Sequence, residues 1–390
     1  MLSLLMDDLM TFLISPTLLA RRTAIAAGIT VACASGLVHA EDEQRFSIRG
    51  FGTIGAVHSD NEQGDYATSL YQPGGPGRSR SWDVTTDTKA GVQLDARLAD
   101  QLSAVVQLTS RKLASNNFTP KVEWANIKYQ VTPDFSIRAG RIALSTLMQS
   151  DARLVSYTMS SVRVPLEIYN ITPPTNSDGI DATYRMNFGK VSNTVQASYG
   201  RSDSKLALGI PEGILVTEAK ARKIINIADT VEIGDLTLRA SYFKTDLNIL
   251  GTIYQYDMKA VGVLYDAGAW FVQSEFAKSN GDGLTKNQQA WYALGGMRIK
   301  AFTPYISYAK AKPQDPLLAG ATGYEQSTSS LGVRWDFMSN AALKVQYDHI
   351  DGPGLFATRG SSTYFVNQST GLFLNGGKTN LVSVAVDFVF

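Results

Sequence analysis

The feature that most constrains this chain is an alternation of apolar and polar residues with a period of two, running from soon after residue 40 almost to the end. Ala90, Val92, Leu94, Ala96 and Leu98 share one face, and Lys89, Gln93, Asp95 and Arg97 the other. Leu102, Ala104, Val106 and Leu108 stand likewise against Ser103, Gln107 and Thr109. Leu236, Leu238, Ala240 and Tyr242 oppose Thr237, Arg239 and Ser241, and Leu343, Val345 and Tyr347 oppose Lys344, Gln346 and Asp348. Only strands send successive side chains to opposite faces. Helical stripes are scarce after residue 40.

The connections sort into two classes. Short turns fall at Ala99-Asp100-Gln101, Thr132-Pro133-Asp134, Asn187 to Lys190, Glu232 to Asp235, Ala267-Gly268, Lys300-Ala301 and Ser339-Asn340. Between them lie long polar or Gly/Pro-rich segments: His58 to Thr86, Lys112 to Lys121, Ile142 to Ser177 and Arg201 to Ala221. The others are Thr245 to Tyr254, Lys278 to Asn287, Lys310 to Ser327 and Asp351 to Lys378. Seven short turns and eight long connections predict sixteen strands, with both chain ends on the short-turn side. Short turns at one end, long loops at the other and an even strand number mark a transmembrane antiparallel β-barrel. A soluble sandwich has no reason to segregate its loops by length. No run of eighteen apolar residues follows residue 40, so strands and not helices do the crossing.

Aromatics near strand ends fit an interfacial girdle: Tyr129, Phe135, Tyr199, Tyr242, Tyr308, Trp335, Phe337 and Tyr347. The final strand is the sharpest signal. Val382, Val384, Val386, Phe388 and Phe390 alternate with Ser383, Ala385, Asp387 and Val389. One apolar face and a terminal Phe suit a strand that closes a barrel against the first, since an open edge in lipid leaves backbone groups unsatisfied.

At the other end, Arg21-Arg22 precede an uncharged stretch, Thr23 to Ala40, that closes on Val38-His39-Ala40 before Glu41-Asp42-Glu43. Basic, apolar and small-residue regions in that order predict a secretory signal peptide over 1–40, removed to leave one barrel domain over 41–390. Met10 is the expected start of translation, because a second apolar run lies ahead of the arginines. Cys33 leaves with the leader, so no disulfide, thiol nucleophile or cysteine metal site is expected. The net charge of +1 is unchanged by removal of Asp7, Asp8, Arg21 and Arg22. Such balance argues against a nucleic-acid partner, which needs clustered positive charge.

Several stretches resemble the sixteen-stranded trimeric general porins of Gram-negative outer membranes. Gly50-Phe51-Gly52 stands in the first strand, Ala139-Gly140-Arg141 enters the third long connection, and Leu331 to Asp336 and Ala342 to Asp348 follow in order. Val122 to Asn126 and Ser177 to Asp181 are similar to a less-studied branch. The resemblance covers essentially all of 41–390. It implies a homotrimer in outer-membrane lipid and lipopolysaccharide, built by the barrel-assembly machinery, for which Phe388 and Phe390 are the expected signal. It also implies passive diffusion of small hydrophilic solutes and ions through a water-filled pore, without catalysis, cofactor or metal. A substrate-selective channel for small organic acids is the rival reading, with a barrel-based enzyme or adhesin as a further one.

The same resemblance has the third loop fold into the lumen and narrow it. Asp151, Arg153, Arg163 and Glu167 on that loop are the candidate constriction, interrupted by Pro165 and Pro173-Pro174. Alternation points Lys89, Arg97, Arg111 and Lys128 inward as the candidate lumen wall. Opposed charges across a narrow wet gap filter solutes by charge. The loop mixes both signs, which leaves ion preference open.

Three other patterns carry less. Gly50-x-Gly52-x-x-Gly55 matches a dinucleotide fingerprint, but no helix pattern follows and glycines in a barrel strand serve packing. His58 and His349 fall on strands one and fifteen, roughly 10 Å apart at about 4.8 Å per strand, too few to hold a metal alone. Asp60, Glu62 and Asp65, or Asp282 beside Asn280, lack the spacing of a calcium loop.

Overall fold

The computed structural model describes residues 45–62, 64–69, 71–171, 174–210, 213–282, 287–314, 325–352, 356–357 and 378–390. The stretch read as a leader and most of the last long connection lie outside these residues. Sixteen long strands are present: β1 (Phe46–Ser59), β2 (Lys89–Ala99), β3 (Leu102–Arg111), β4 (Lys121–Thr132), β5 (Phe135–Ala143) and β6 (Asn176–Phe188). Then come β7 (Val191–Ile210), β8 (Gly213–Ile233), β9 (Leu236–Ile249), β10 (Thr252–Asp266) and β11 (Trp270–Gly281). The last are β12 (Gln288–Met297), β13 (Phe302–Pro313), β14 (Gln326–Met338), β15 (Ala341–Asp351) and β16 (Lys378–Val389). Each pairs antiparallel with the next, and β1 pairs with both β2 and β16, so the ladder closes on itself. Phe46–Val389 make up this body. Closure satisfies every strand edge internally, as hydrocarbon demands.

All seven expected short turns join strands at one end. The faces sort by the period of two. Leu94, Ile127, Val261, Ile306 and Leu331 are exposed on the outside, while Gln107, Gln273, Lys344 and Gln346 are buried on the inside. Of the girdle aromatics, Tyr129, Tyr199, Tyr308, Trp335, Phe337 and Tyr347 are exposed; Phe135 and Tyr242 are half-buried.

The fourth and fifth long connections differ from expectation. Residues read as loop, 201–221 and 245–254, continue the ladder: β7 and β8 stay paired to Ile210 and Gly213, and β9 and β10 to Ile249 and Thr252. The physical reason is an apolar inner face hidden among polar neighbours. Leu206, Ala219, Ala221, Leu247 and Ile249 are buried together with Phe243 and Tyr256. Burying that surface favours extended pairing over solvated loops.

Glycines in the first strand serve the seam. Gly52 lies directly opposite Phe388, whose ring atoms stand 2.4 Å from where a Cβ would be. Gly91 on β2 gives way in the same manner to the Phe51 ring. Gly52 of the G-x-G pattern and Gly91 on β2 therefore make room for aromatic rings across two strand pairs.

Candidate channel constriction

The third long connection leaves β5 at Ala143 and returns at Asn176, and its course is written in hydrogen bonds to the inner wall. Near its start, the Met148 amide donates to Glu275 Oε2 at 2.8 Å and Gln149 Nε2 to Gln273 at 3.1 Å, both on β11. Arg239 of β9 donates to the Ser145 carbonyl at 2.9 Å. Farther along, Lys344 of β15 donates to the Ser156 and Ser161 carbonyls at 2.6 and 3.0 Å, and Arg334 of β14 to the Met159 carbonyl at 2.9 Å. A one-turn helix, α1 (Leu166–Tyr169), follows. Its Glu167 accepts from Gln326 at 2.6 Å and from Thr328, and Tyr169 donates to Glu275 at 2.7 Å.

These bonds lay the loop against the inner faces of β9 to β16. The wall beneath it is apolar and finely stepped. Ala260, Ala277, Ala290, Ala309 and Ala311 leave room between Phe243, Met258, Tyr292 and Tyr305, and the loop fills it with Leu144, Leu147, Ile168 and Ile171. This side of the lumen thus holds a packed core. Open space is left along the opposite wall, and a further cavity lies between residues 158–161 of the loop and the wall at Leu264, Phe271 and Tyr292.

Arg163 ends the loop's traverse. It donates to Asp348 of β15 at 2.8 Å, to Asp87 just ahead of β2 at 2.6 Å, and to Ser383 of β16 at 2.6 Å. Burial pulls this guanidinium down, and Asp87, Tyr66 and Asp348 override it to hold its pKa well above the usual value. Glu167 is shifted the other way for a carboxyl: burial raises it, against the hydrogen bonds from Thr328 and Gln326.

The open space beside the loop is a cavity of about 900 Å³ whose charged lining is Asp87, Lys89, Arg111, Lys112, Arg153 and Arg163. Asp87 and Arg163 satisfy each other, and Lys112 donates to the Gly74 carbonyl at 2.8 Å with Asp83 at 3.9 Å. Glu123, brought inward by a break in the β3–β4 register, accepts from Thr175 at 2.9 Å and stands 3.8 Å from Arg111. Lys89 and Arg153 form no ion pair with a described residue. Arg153 is pushed down by burial and then by the charge of Arg111. A second cavity of about 1020 Å³ shares Tyr71 and Arg111 with the first. Together they trace a path on the side of β2 to β7.

Of the residues singled out from sequence, Arg153, Arg163, Lys89 and Arg111 come together at the first cavity. Asp151 is exposed and accepts from the Ser145 hydroxyl at 3.0 Å. Glu167 is turned into β14 and does not line that cavity. Lys128 faces inward on β4 opposite Ser103, and Arg97 lies at the short-turn end, 3.4 Å from Asp100. Pro173 lies outside the described residues. Asp87, Asp348, Glu275 and Lys344 went unnoticed as loop anchors, although alternation puts Lys344 and Asp348 on the inner face. His58 and His349 do lie either side of β16: His349 contacts Asn380 at 2.8 Å, and His58 meets the Trp82 ring at a tilt of 59° with 5.0 Å between centroids.

A family model described as Gram-negative porin matches residues 23–362. An anion-selective porin from Comamonas acidovorans superposes with a TM-score of 0.59 at 11% identity, over 88% of this chain and 99% of that one. The outer membrane channel DcaP of Acinetobacter baumannii gives 0.59 at 11% identity, over 91% and 100%. Salmonella typhi OmpF, solved with daunomycin, gives 0.55 at 16% identity, over 88% and 97%. At these identities the likeness speaks to the fold alone. No curated protein matches the sequence. With a closed barrel, a loop folded inward and the family model matching most of its length, the chain belongs to the Gram-negative porin family and is an outer-membrane channel.

Proposed function

We propose that this channel passes small hydrophilic solutes and ions passively, with a preference for anions. One observation carries the reading: Lys89 and Arg153 line the open cavity without an ion pair to a described residue, beside the Arg111–Glu123 pair, while the nearby carboxylates are engaged. Asp87 is neutralised by Arg163, and Glu123 is buried under Thr175 and Asn176. The excess positive charge of Lys89 and Arg153 along a narrow wet path concentrates anions and repels cations. The similar Comamonas structure is described as anion-selective, which supports the reading. No step in it requires a catalytic group, cofactor or metal.

The family likeness supports the rest of the reading. The chain assembles as a homotrimer, since a trimer form is among the similar structures, that of Vibrio cholerae OmpT. Residues 1–40 direct export and are removed. Phe388 and Phe390 are read by the barrel-assembly machinery, and the outer apolar face meets lipid and lipopolysaccharide. The test is the reversal potential of purified protein in a planar bilayer under a KCl gradient. A chloride-selective sign supports the proposal, and a potassium-selective sign refutes it.

A further inference from the structure

Beyond ion preference, the cavity beside the third loop has a second character. Tyr71, Leu154, Val164 and Leu166 also line it, each only half-buried. Tyr71 and Val164 rest on the apolar core of the lumen, and Leu166 on the cluster of Val57, Tyr66, Ile350 and Leu381. Apolar surface left open in a water-filled passage costs free energy, and a solute that covers it recovers that cost.

The cationic side has an unpartnered donor, although Glu123 stands 3.8 Å from the Arg111 guanidinium. Arg111 Nε is buried and has no hydrogen-bond partner among the described residues. A buried guanidinium donor calls for an acceptor, and a carboxylate supplies two oxygens in a geometry that Arg matches. Arg153 approaches from the loop and Lys89 from β2, so positive charge reaches the space from both sides. Tyr71 stays a neutral hydroxyl donor, since burial raises its pKa to about 12 against the opposing charge of Arg153.

We propose that this cavity is a binding station for small organic anions with an apolar body, the carboxylate seated among Lys89, Arg111 and Arg153 and the hydrocarbon lying on Tyr71, Leu154, Val164 and Leu166. The inference rests on the anion-preferring reading above and narrows it to a solute class. A hydrated inorganic anion uses only half of the site. An aromatic or branched monocarboxylate uses both halves, and it dwells long enough to interrupt the ion current.

The probes are benzoate, acetate and benzamide, added to single channels in a planar bilayer at fixed KCl. Acetate keeps the charge and lacks the apolar body; benzamide keeps the ring and lacks the charge. Benzoate is expected to interrupt the current at concentrations roughly tenfold or more below acetate, because burying several ring carbons outweighs the shared charge. Benzamide is expected to leave the current alone. Arg153→Gln raises the blocking concentration of benzoate by roughly tenfold. Leu154→Asn raises it for benzoate and leaves acetate unchanged.

Equal potency of benzoate and acetate overturns the proposal, as does equal block by benzamide. The wild-type comparison stands even if a variant fails to assemble. Chloride preference without benzoate block overturns this inference and leaves the proposed function standing. Loss of chloride preference overturns the reading beneath it.

Discussion

Arg163 on the third loop and Asp348 on β15 are 185 residues apart in sequence and meet at 2.8 Å. The same guanidinium reaches Asp87, 76 residues away in the other direction, at 2.6 Å. One side chain therefore ties the constricting loop to both flanks of the β1–β16 seam. The three groups are nearly buried, and both carboxylates share this one cation.

Arg163→Gln leaves two buried carboxylates without their cation, a loss of about 3–5 kcal/mol where a buried pair is broken on one side. The barrel has its own ladder and survives; the loop is what loosens. We expect larger and noisier single-channel conductance than wild type, with barrel content by circular dichroism unchanged. Arg163→Lys restores charge without the fork that spans both carboxylates, and it is expected to recover only part of the quiet behaviour. Wild-type conductance and noise in Arg163→Gln contradict the latch.

The seam itself is tested at Gly52. A Cβ there meets the Phe388 ring at 2.4 Å, so Gly52→Val forces the ring away or the strands apart, at a cost of about 1–3 kcal/mol for overpacking. The folded barrel should then unfold at lower temperature in detergent, seen as an earlier shift in gel mobility on heating. Shrinking the ring in Gly52→Val/Phe388→Leu should return part of the lost stability. Wild-type heat resistance in Gly52→Val rules out the contact.

Much of this was legible in the sequence, for a physical reason. Strand identity, facing and turn position are local, and a period of two survives any tertiary context that has one wet and one greasy side. Lys89 and Arg111 could be placed inward by that rule alone. The path of the third loop could not. Asp151 and Glu167 are as acidic as any constriction requires, yet Glu167 is spent on Gln326 and Thr328 of a distant strand. Nothing near Arg163 in sequence announces Asp87 or Asp348. The fourth connection misled because Ser202, Asp203 and Lys205 look like loop, while Leu206, Ala219 and Ala221 sit in the core.

Acidity should tighten the loop. Burial raises the Glu167 carboxyl above its ordinary range, so the docked loop prefers it protonated. That preference is full below the ordinary carboxylate value and is lost as pH rises through the raised one. Gln326, Thr328 and Asp348 are the groups that face it. Lowering the pH should reduce conductance and current noise, and Glu167→Gln should flatten the part of the pH response that this group contributes. Identical pH profiles for Glu167→Gln and wild type dismiss Glu167 as the titrating group.

Position along the path should matter more than charge alone. A unit charge about 8 Å from the permeating ion in water contributes about 0.5 kcal/mol, roughly twofold in local anion concentration. Arg153→Gln should lower the chloride-to-potassium permeability ratio by at least that factor. Arg97→Gln should change it far less, because Arg97 lies at the short-turn end beside Asp100. A larger effect from Arg97 would place the selective region elsewhere.

The most direct measurement is thiol accessibility in a conducting channel. The chain has one cysteine, Cys33, ahead of the barrel strands in sequence, so a single substitution places a lone thiol in the barrel. Leu154→Cys sits on the open cavity, and Ala277→Cys sits at 0% exposure beneath the loop. A negatively charged methanethiosulfonate should cut the current of the Leu154→Cys channel and leave that of Ala277→Cys untouched. A drop at Ala277→Cys with none at Leu154→Cys would contradict the path along the β2 to β7 wall.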